Sequence, residues 1–231
     1  MDCLNDNKKG GGAVAVAFDM DGLMFETESV YWKSADILLG RRGHKYTQEL
    51  CDATMGRPPE CTFRLFIERF AFPEDWRTLQ RESEDIFIEL LKDGFETQPG
   101  FLELLELLEK RGISRAVCTS SARRVVSEVL KKDGIGERFD FVITSDDITR
   151  GKPDPQIYQQ AAARFGVAPH EMLVLEDSSA GAASAAAAGA PCCMLKASHN
   201  FNADFSRAVA VVERLDAPEL VALLAPSGTR R

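Results

Sequence analysis

The stretch AVAVAFDMDGL, residues 13–23, decides how this chain is read. Residues 13–18 are apolar without a break, which suits a strand buried on both faces of a parallel sheet. Two carboxylates, Asp19 and Asp21, follow at once. In an open parallel sheet, ligands bind outside the carboxyl ends of the strands. An acidic pair at this point therefore stands where chemistry is done. An Asp-x-Asp pair alone is a weak signal, because many acidic pairs sit in surface loops. Its weight depends on what the rest of the chain brings to the same edge.

Further apolar runs cover residues 113–118, 139–143, 172–175 and 191–195, with a weaker one at 208–212. Helical patterns lie between them. Residues 101–111, FLELLELLEKR, begin after Pro99-Gly100 and stop at Gly112. Residues 122–132 close on Asp133-Gly134, residues 155–165 on Gly166, and residues 178–188 on Gly189. Strand and helix alternate, so the fold class is α/β with a doubly wound parallel sheet. The alanine-rich stretch 180–190 reads as a helix whose small side chains let it lie close to the sheet. Residues 29–95 break the rhythm: they carry helical patterns at 30–39, 59–70 and 75–91 and no convincing strand. The expected organisation is a discontinuous core of residues 13–28 and 96–231, an inserted helical domain at 29–95, and a flexible polar leader at 1–12.

Composition narrows the partners. The 231 residues carry a net charge of −8, which argues against a nucleic-acid groove. Paired basic residues such as Arg41-Arg42, Arg123-Arg124 and Lys131-Lys132 read as solvated helix ends. No apolar run has the length of a membrane span, and the leader lacks the apolar stretch of a secretory signal. The six cysteines form no CxxC pair and the three histidines are scattered, so no zinc spacing is present. Reduced cysteines acting as small hydrophobes point to a cytoplasmic protein.

The residues after each apolar run carry the chemistry. Asp19-Met20-Asp21-Gly22 follows the first, Thr119-Ser120-Ser121 the second, and Glu176-Asp177-Ser178-Ser179 the fourth. Gly151-Lys152-Pro153-Asp154 precedes the helix at 155. Carboxylates, hydroxyls and one lysine thus converge on one sheet edge. Asp19 and Asp21 with Glu176 or Asp177 make a hard oxygen cluster suited to Mg2+, which offsets their mutual repulsion. A carboxylate such as Asp19 can attack phosphorus. Lys152 and the Thr119 hydroxyl can hold phosphoryl oxygens, and Asp21 can protonate the leaving oxygen.

These motifs resemble, in order, the four motifs of the haloacid dehalogenase-like hydrolases: Phe18-Asp19-Met20-Asp21-Gly22-Leu23, Thr119-Ser120, Lys152-Pro153-Asp154-Pro155 and Glu176-Asp177-Ser178. The resemblance implies Asp19 as nucleophile and metal ligand, and Asp21 as acid/base that lends the metal its backbone carbonyl. It implies Thr119 and Lys152 on phosphate, Ser120 near substrate, and Asp177 with Glu176 at the metal. It further implies a monomeric, Mg2+-dependent phosphatase of a small phosphorylated metabolite, with the helical insert as a cap. In the cap, Met55-Gly56-Arg57-Pro58 resembles a loop facing the site, with Arg57 as a substrate contact.

Alternatives divide on particular residues. A β-phosphoglucomutase-type mutase has a histidine twelve residues after the nucleophile and an arginine three residues after the glycine matching Gly56. Tyr31 and Pro59 stand there instead. A receiver-like signalling module carries its acidic pair and its phosphoacceptor on different strands and has no helical insert. A dehalogenase has no need of Asp21, and a catalytically dead scaffold would not keep the full set. Trp32 and Trp76 read as packing residues, His44 as a loop residue, Ser178 as a helix cap, and Asp146 and Asp147 as capping groups or supports for Lys152.

Overall fold

The computed structural model describes residues 12–54 and 59–226. Among them, six strands form one all-parallel sheet: β1 (Ala15–Phe18), β2 (Ser114–Cys118), β3 (Phe141–Ile143), β4 (Met172–Glu176), β5 (Cys192–Leu195) and β6 (Ala210–Val212). Their spatial order is β3-β2-β1-β4-β5-β6. β1 pairs with β2 and β4 in matched register, Ala15 lying opposite Ser114 on one side and Met172 on the other. Every residue of β1, β4 and β5 is buried, as continuous apolar strands require.

Alternation along these strands divides the core in two. Val16, Phe18, Val117, Leu173 and Leu175 pack with α5 (Phe101–Arg111) and α6 (Arg123–Val129). Phe18 meets the rings of Phe101 and Phe139 edge-on at 6.1 and 5.5 Å. On the other face, Ala15, Ala17, Val174 and Met194 pack with α7 (Gln156–Phe165) and α8 (Ser179–Ala188). The alanines of α8 pack there against β4 and β5, so the alanine-rich helix does lie close on the sheet. Helices α5, α7 and α8 each end on a left-handed glycine, Gly112, Gly166 and Gly189. Ser178 caps α8, its hydroxyl accepting from the Gly181 amide at 3.0 Å.

Between β1 and α5 come α1 (Glu28–Gly40), α2 (Gln48–Thr54), α3 (Pro59–Phe70) and α4 (Trp76–Leu90). They share a separate apolar cluster that includes Leu38, Leu50, Phe66, Leu79 and Ile86. Val30 and Phe87 join the main core instead. The chain leaves and re-enters the sheet region side by side: Glu26 N donates to Glu96 O, Gln98 N donates to Met24 O, and Phe25 bridges Thr97.

Some expectations are revised here. Helix α6 ends at Val129 rather than residue 132, with near-helical backbone at Leu130 and Lys131 running on to the break at Asp133 and Gly134, whose φ values are 48° and 68°. Arg42 is no solvated helix end: it pairs with Glu74 at 2.8 Å and Glu82 at 2.6 Å, tying the end of α1 to the α4 region. His44 stacks on Phe70 with ring centroids 4.2 Å apart. Trp76 packs against the helical cluster as expected, and Trp32 packs edge-on with Tyr46 while also lining a cavity.

Candidate active site

The ends of β1, β2 and β4 and the loop before α7 bring the sequence motifs together. Asp19 continues β1, its amide donating to Leu175 O at 3.0 Å. A tight turn follows, in which Gly22 N donates to Phe25 O and Gly22 takes a φ of 76°. A Cβ on Gly22 would lie 2.2 Å from Asp177 Oδ2, so this turn admits no side chain.

Lys152 is the hub. Its ammonium donates to Asp19 Oδ1 at 2.5 Å, Glu176 Oε1 at 2.6 Å and Cys118 O at 3.0 Å, using all three of its hydrogens. Glu176 is fully buried. Its Oε1 also accepts from Tyr158 OH at 2.5 Å, and its Oε2 accepts from Ser178 Oγ at 3.0 Å and the amides of Asp177 and Ser178. Asp177 lies beside His199, whose Nε2 is 2.8 Å from Oδ2, and Asn200 Nδ2 donates to Asp177 O at 2.8 Å. Thr119 is buried, and its hydroxyl accepts from Ser121 N at 3.1 Å. Asp21 accepts from Thr27 Oγ1 at 2.9 Å and from Ser121 Oγ at 2.6 Å.

Electrostatics follow from this crowding. Burial lifts Asp19 well above the ordinary carboxylate range, helped by Glu176, Asp177 and Asp21 and opposed by Lys152. Burial lifts Asp177 well above it too, with Glu176 and Glu28 adding repulsion. Asp21 is raised by burial and restrained by its hydroxyl partners Ser121 and Thr27. Burial works against the Lys152 ammonium, yet attraction to Asp19 and Glu176 outweighs it and raises the lysine pKa. One ammonium thus faces three carboxylates, Asp19, Glu176 and Asp177, whose ligand atoms lie within 4.8 Å of one another. The excess negative charge and the all-oxygen donors fit a hard divalent cation.

The structure brings Asp19, Asp21, Thr119, Lys152, Glu176 and Asp177 into one place, and Ser120 to the wall of the adjoining cavity. Arg57 lies outside the described residues, as do residues 1–11 of the expected leader. Asp146 and Asp147 do not support Lys152. Asp147 Oδ2 accepts from Thr144 N and Oγ1, and Asp146 Oδ2 accepts from Arg123 N at the start of α6. Sequence reasoning overlooked Thr27, Tyr158, His199 and Asn200. The last two follow β5, so asking what stands after that strand as well would have found them.

The Glu176 contacts carry a stability prediction. Helix α8 lies so near that a Cβ on Gly181 would fall 1.8 Å from Glu176 Oε1, a group pinned by Lys152, Tyr158 and Ser178. Gly181→Ala is expected to cost about 3 kcal/mol, the upper part of the overpacking range, as a lowered urea midpoint with an unchanged slope. An unchanged midpoint would mean that the helix has room to shift.

Above the site lies a cavity of about 550 Å³. Its walls come from both parts of the fold: Tyr31, Trp32, Tyr46 and Phe66 from the helical segment, Ser120 and His199 from the strand ends. No described helix is long and apolar enough to cross a membrane.

Comparison with known proteins agrees with this geometry. A family model of the haloacid dehalogenase-like hydrolases matches residues 16–195. The phosphorylated carbohydrates phosphatase of Thermotoga maritima is 32% identical over 171 residues, covering 72% of this chain and 77% of that protein. The validoxylamine A 7'-phosphate phosphatase of Streptomyces hygroscopicus subsp. limoneus is 30% identical over 188 residues, covering 80% and 87%. CbbY from Rhodobacter sphaeroides, solved in complex with phosphate, superposes with a TM-score of 0.84 over 92% of this chain and 99% of that one. At 23% identity, that likeness is one of fold.

Proposed function

We infer, because this chain belongs to the haloacid dehalogenase-like hydrolase family and is a phosphoric monoester hydrolase, that it removes phosphate from a small phosphorylated carbohydrate or nucleotide-like metabolite through an acyl phosphate on Asp19. The observation that carries this reading is the placement of Asp19. It follows the central strand, bonded to Lys152 and beside Glu176 and Asp177, next to the loops whose Ser120, Ser121 and His199 line a roomy cavity.

In this mechanism an Asp19 oxygen attacks phosphorus and a P–O bond forms. The bond from phosphorus to the leaving oxygen breaks, and that oxygen keeps the electron pair and takes a proton from Asp21. A water then gives its proton to Asp21, its oxygen bonds phosphorus, and inorganic phosphate departs as the Asp19 carboxylate is restored. Thr119 holds one phosphoryl oxygen, and Lys152 turns to another the hydrogen it otherwise gives Asp19 Oδ1, while Cys118 O and Glu176 keep the other two. Glu176 fixes the Lys152 ammonium from behind. Asp19, Asp177 and the Asp21 backbone carbonyl would hold Mg2+, with Glu176 beside them. When bound, the ion supplies positive charge to the transferring phosphoryl group. Residues 29–95 act as the cap over a core of residues 13–28 and 96–231, admitting substrate and then excluding water.

The test is phosphate release from a panel of sugar phosphates, nucleoside monophosphates and polyol phosphates, with Mg2+ and with excess chelator. Release from one or two compounds, lost at least about 100-fold on chelation, is the expected result. Isomerisation of a hexose 1-phosphate on adding a bisphosphate, without phosphate release, would instead establish a mutase.

A further inference from the structure

We propose that Tyr31, on the helical segment, is a positioning residue for Asp21 and acts on it through Ser121. The proposal rests on Asp21 being the acid/base of the reaction described above. Tyr31 OH lies 3.0 Å from Ser121 Oγ, and Ser121 Oγ lies 2.6 Å from Asp21 Oδ2. A hydroxyl has one hydrogen. With Asp21 ionised, the serine hydrogen goes to the carboxylate, so the phenol donates to the serine lone pair. The chain of hydrogen bonds therefore runs from α1, through the loop after β2, to the turn after β1.

Its two ends are fixed independently. The Tyr31 ring packs on Phe87 of α4, with centroids 4.3 Å apart and planes tilted by 35°. The phenol is thus aimed by packing within the helical segment. At the far end, Asp21 Oδ1 accepts from Thr27 Oγ1 at 2.9 Å. Ser121 between them ties the carboxyl to Tyr31, across 90 residues of sequence on one side and 100 on the other.

Tyr31 and Ser121 both line the cavity, so substrate entering it lies against this chain. The carboxyl is in this way aligned by a group on the helical segment.

Tyr31→Phe tests this, because it keeps the ring on Phe87 and removes only the hydroxyl. Two substrates separate the roles. An alkyl phosphate has a poor leaving group that needs the Asp21 proton, whereas 4-nitrophenolate leaves unaided. The ratio kcat/KM reports the first chemical step with each. Tyr31→Phe is expected to lower kcat/KM for the alkyl phosphate about 10-fold and to leave the 4-nitrophenyl value within about twofold. Ser121→Ala should do the same, and the double variant should lose no more than either single one. Equal losses on both esters, a change confined to KM, no change, or a gain would overturn the proposal. Asp21→Asn serves as the reference. If it discriminates between the esters and Tyr31→Phe does not, this proposal alone fails. If Asp21→Asn fails to discriminate, the acid/base reading of Asp21 fails and takes this proposal with it.

Discussion

Asp19→Asn is expected to remove turnover by a factor of about 10⁴ or more while leaving the protein folded. The amide oxygen and nitrogen are poor nucleophiles, so no acyl phosphate forms on this side chain. Folding survives for an electrostatic reason. Asp19 is a buried carboxylate held above its ordinary pKa by burial and by three other carboxyl groups. Neutralising it relieves that repulsion. Lys152 loses one partner but keeps Glu176 at 2.6 Å and Cys118 O at 3.0 Å. The urea midpoint should therefore stay close to that of the parent, whereas rapid quenching with substrate should give no hydroxylamine-labile phosphate on the protein. Near-parental phosphate release by this variant would show that another group attacks phosphorus.

Lys152→Met is expected to lose both activity and stability. Methionine matches the length of the lysine stem but leaves Asp19 and Glu176 facing each other with no cation between them. Breaking a buried ion pair by removing one member costs about 3–5 kcal/mol. Losing a charge aimed at the phosphoryl oxygens should lower kcat by about 10²–10³. The stability loss has a definite pH dependence. The Asp19 pKa already lies above its unfolded value, and removing Lys152, which opposes that rise, lifts it further. The folded state then binds more protons than the unfolded state between those two values, so its stability falls as pH rises through that window. The deficit relative to the parent should be largest at neutral pH and shrink on acidification. Denaturation curves at pH 5 and pH 7.5 measure it, and a deficit that grows toward pH 5 would contradict the assigned electrostatics.

Much of this architecture is legible in the sequence because strong local signals agree with the fold. β1, β4 and β5 are buried on both faces, so they appear as unbroken apolar runs. Gly112, Gly166 and Gly189 mark helix ends because left-handed termini favour glycine. The strand-end rule placed Asp19, Thr119, Lys152 and Asp177 on one edge, and the structure gathers them there. Helix α2 escaped notice because seven residues leave almost no period to detect. Tyr158 reads as one more apolar residue on the core face of α7. Only the tertiary fold reveals its hydroxyl on Glu176. Trp32 shows a related limit: helical spacing assigns a residue to a face, but not what stands opposite that face, and Trp32 both packs edge-on with Tyr46 and lines a cavity.

The paired segments that carry the chain out of the sheet and back again bear on chain entropy. Phe25 bridges Thr97, and Glu26 is bonded to Glu96, so the helical segment begins and ends at almost one point. For a loop whose ends meet, doubling its length adds only about 0.6 kcal/mol to the cost of closure. The sheet is therefore almost indifferent to how much chain is threaded through that gate. Helices there can lengthen, shorten or be exchanged for others at little cost to closure while the strand ends keep their places.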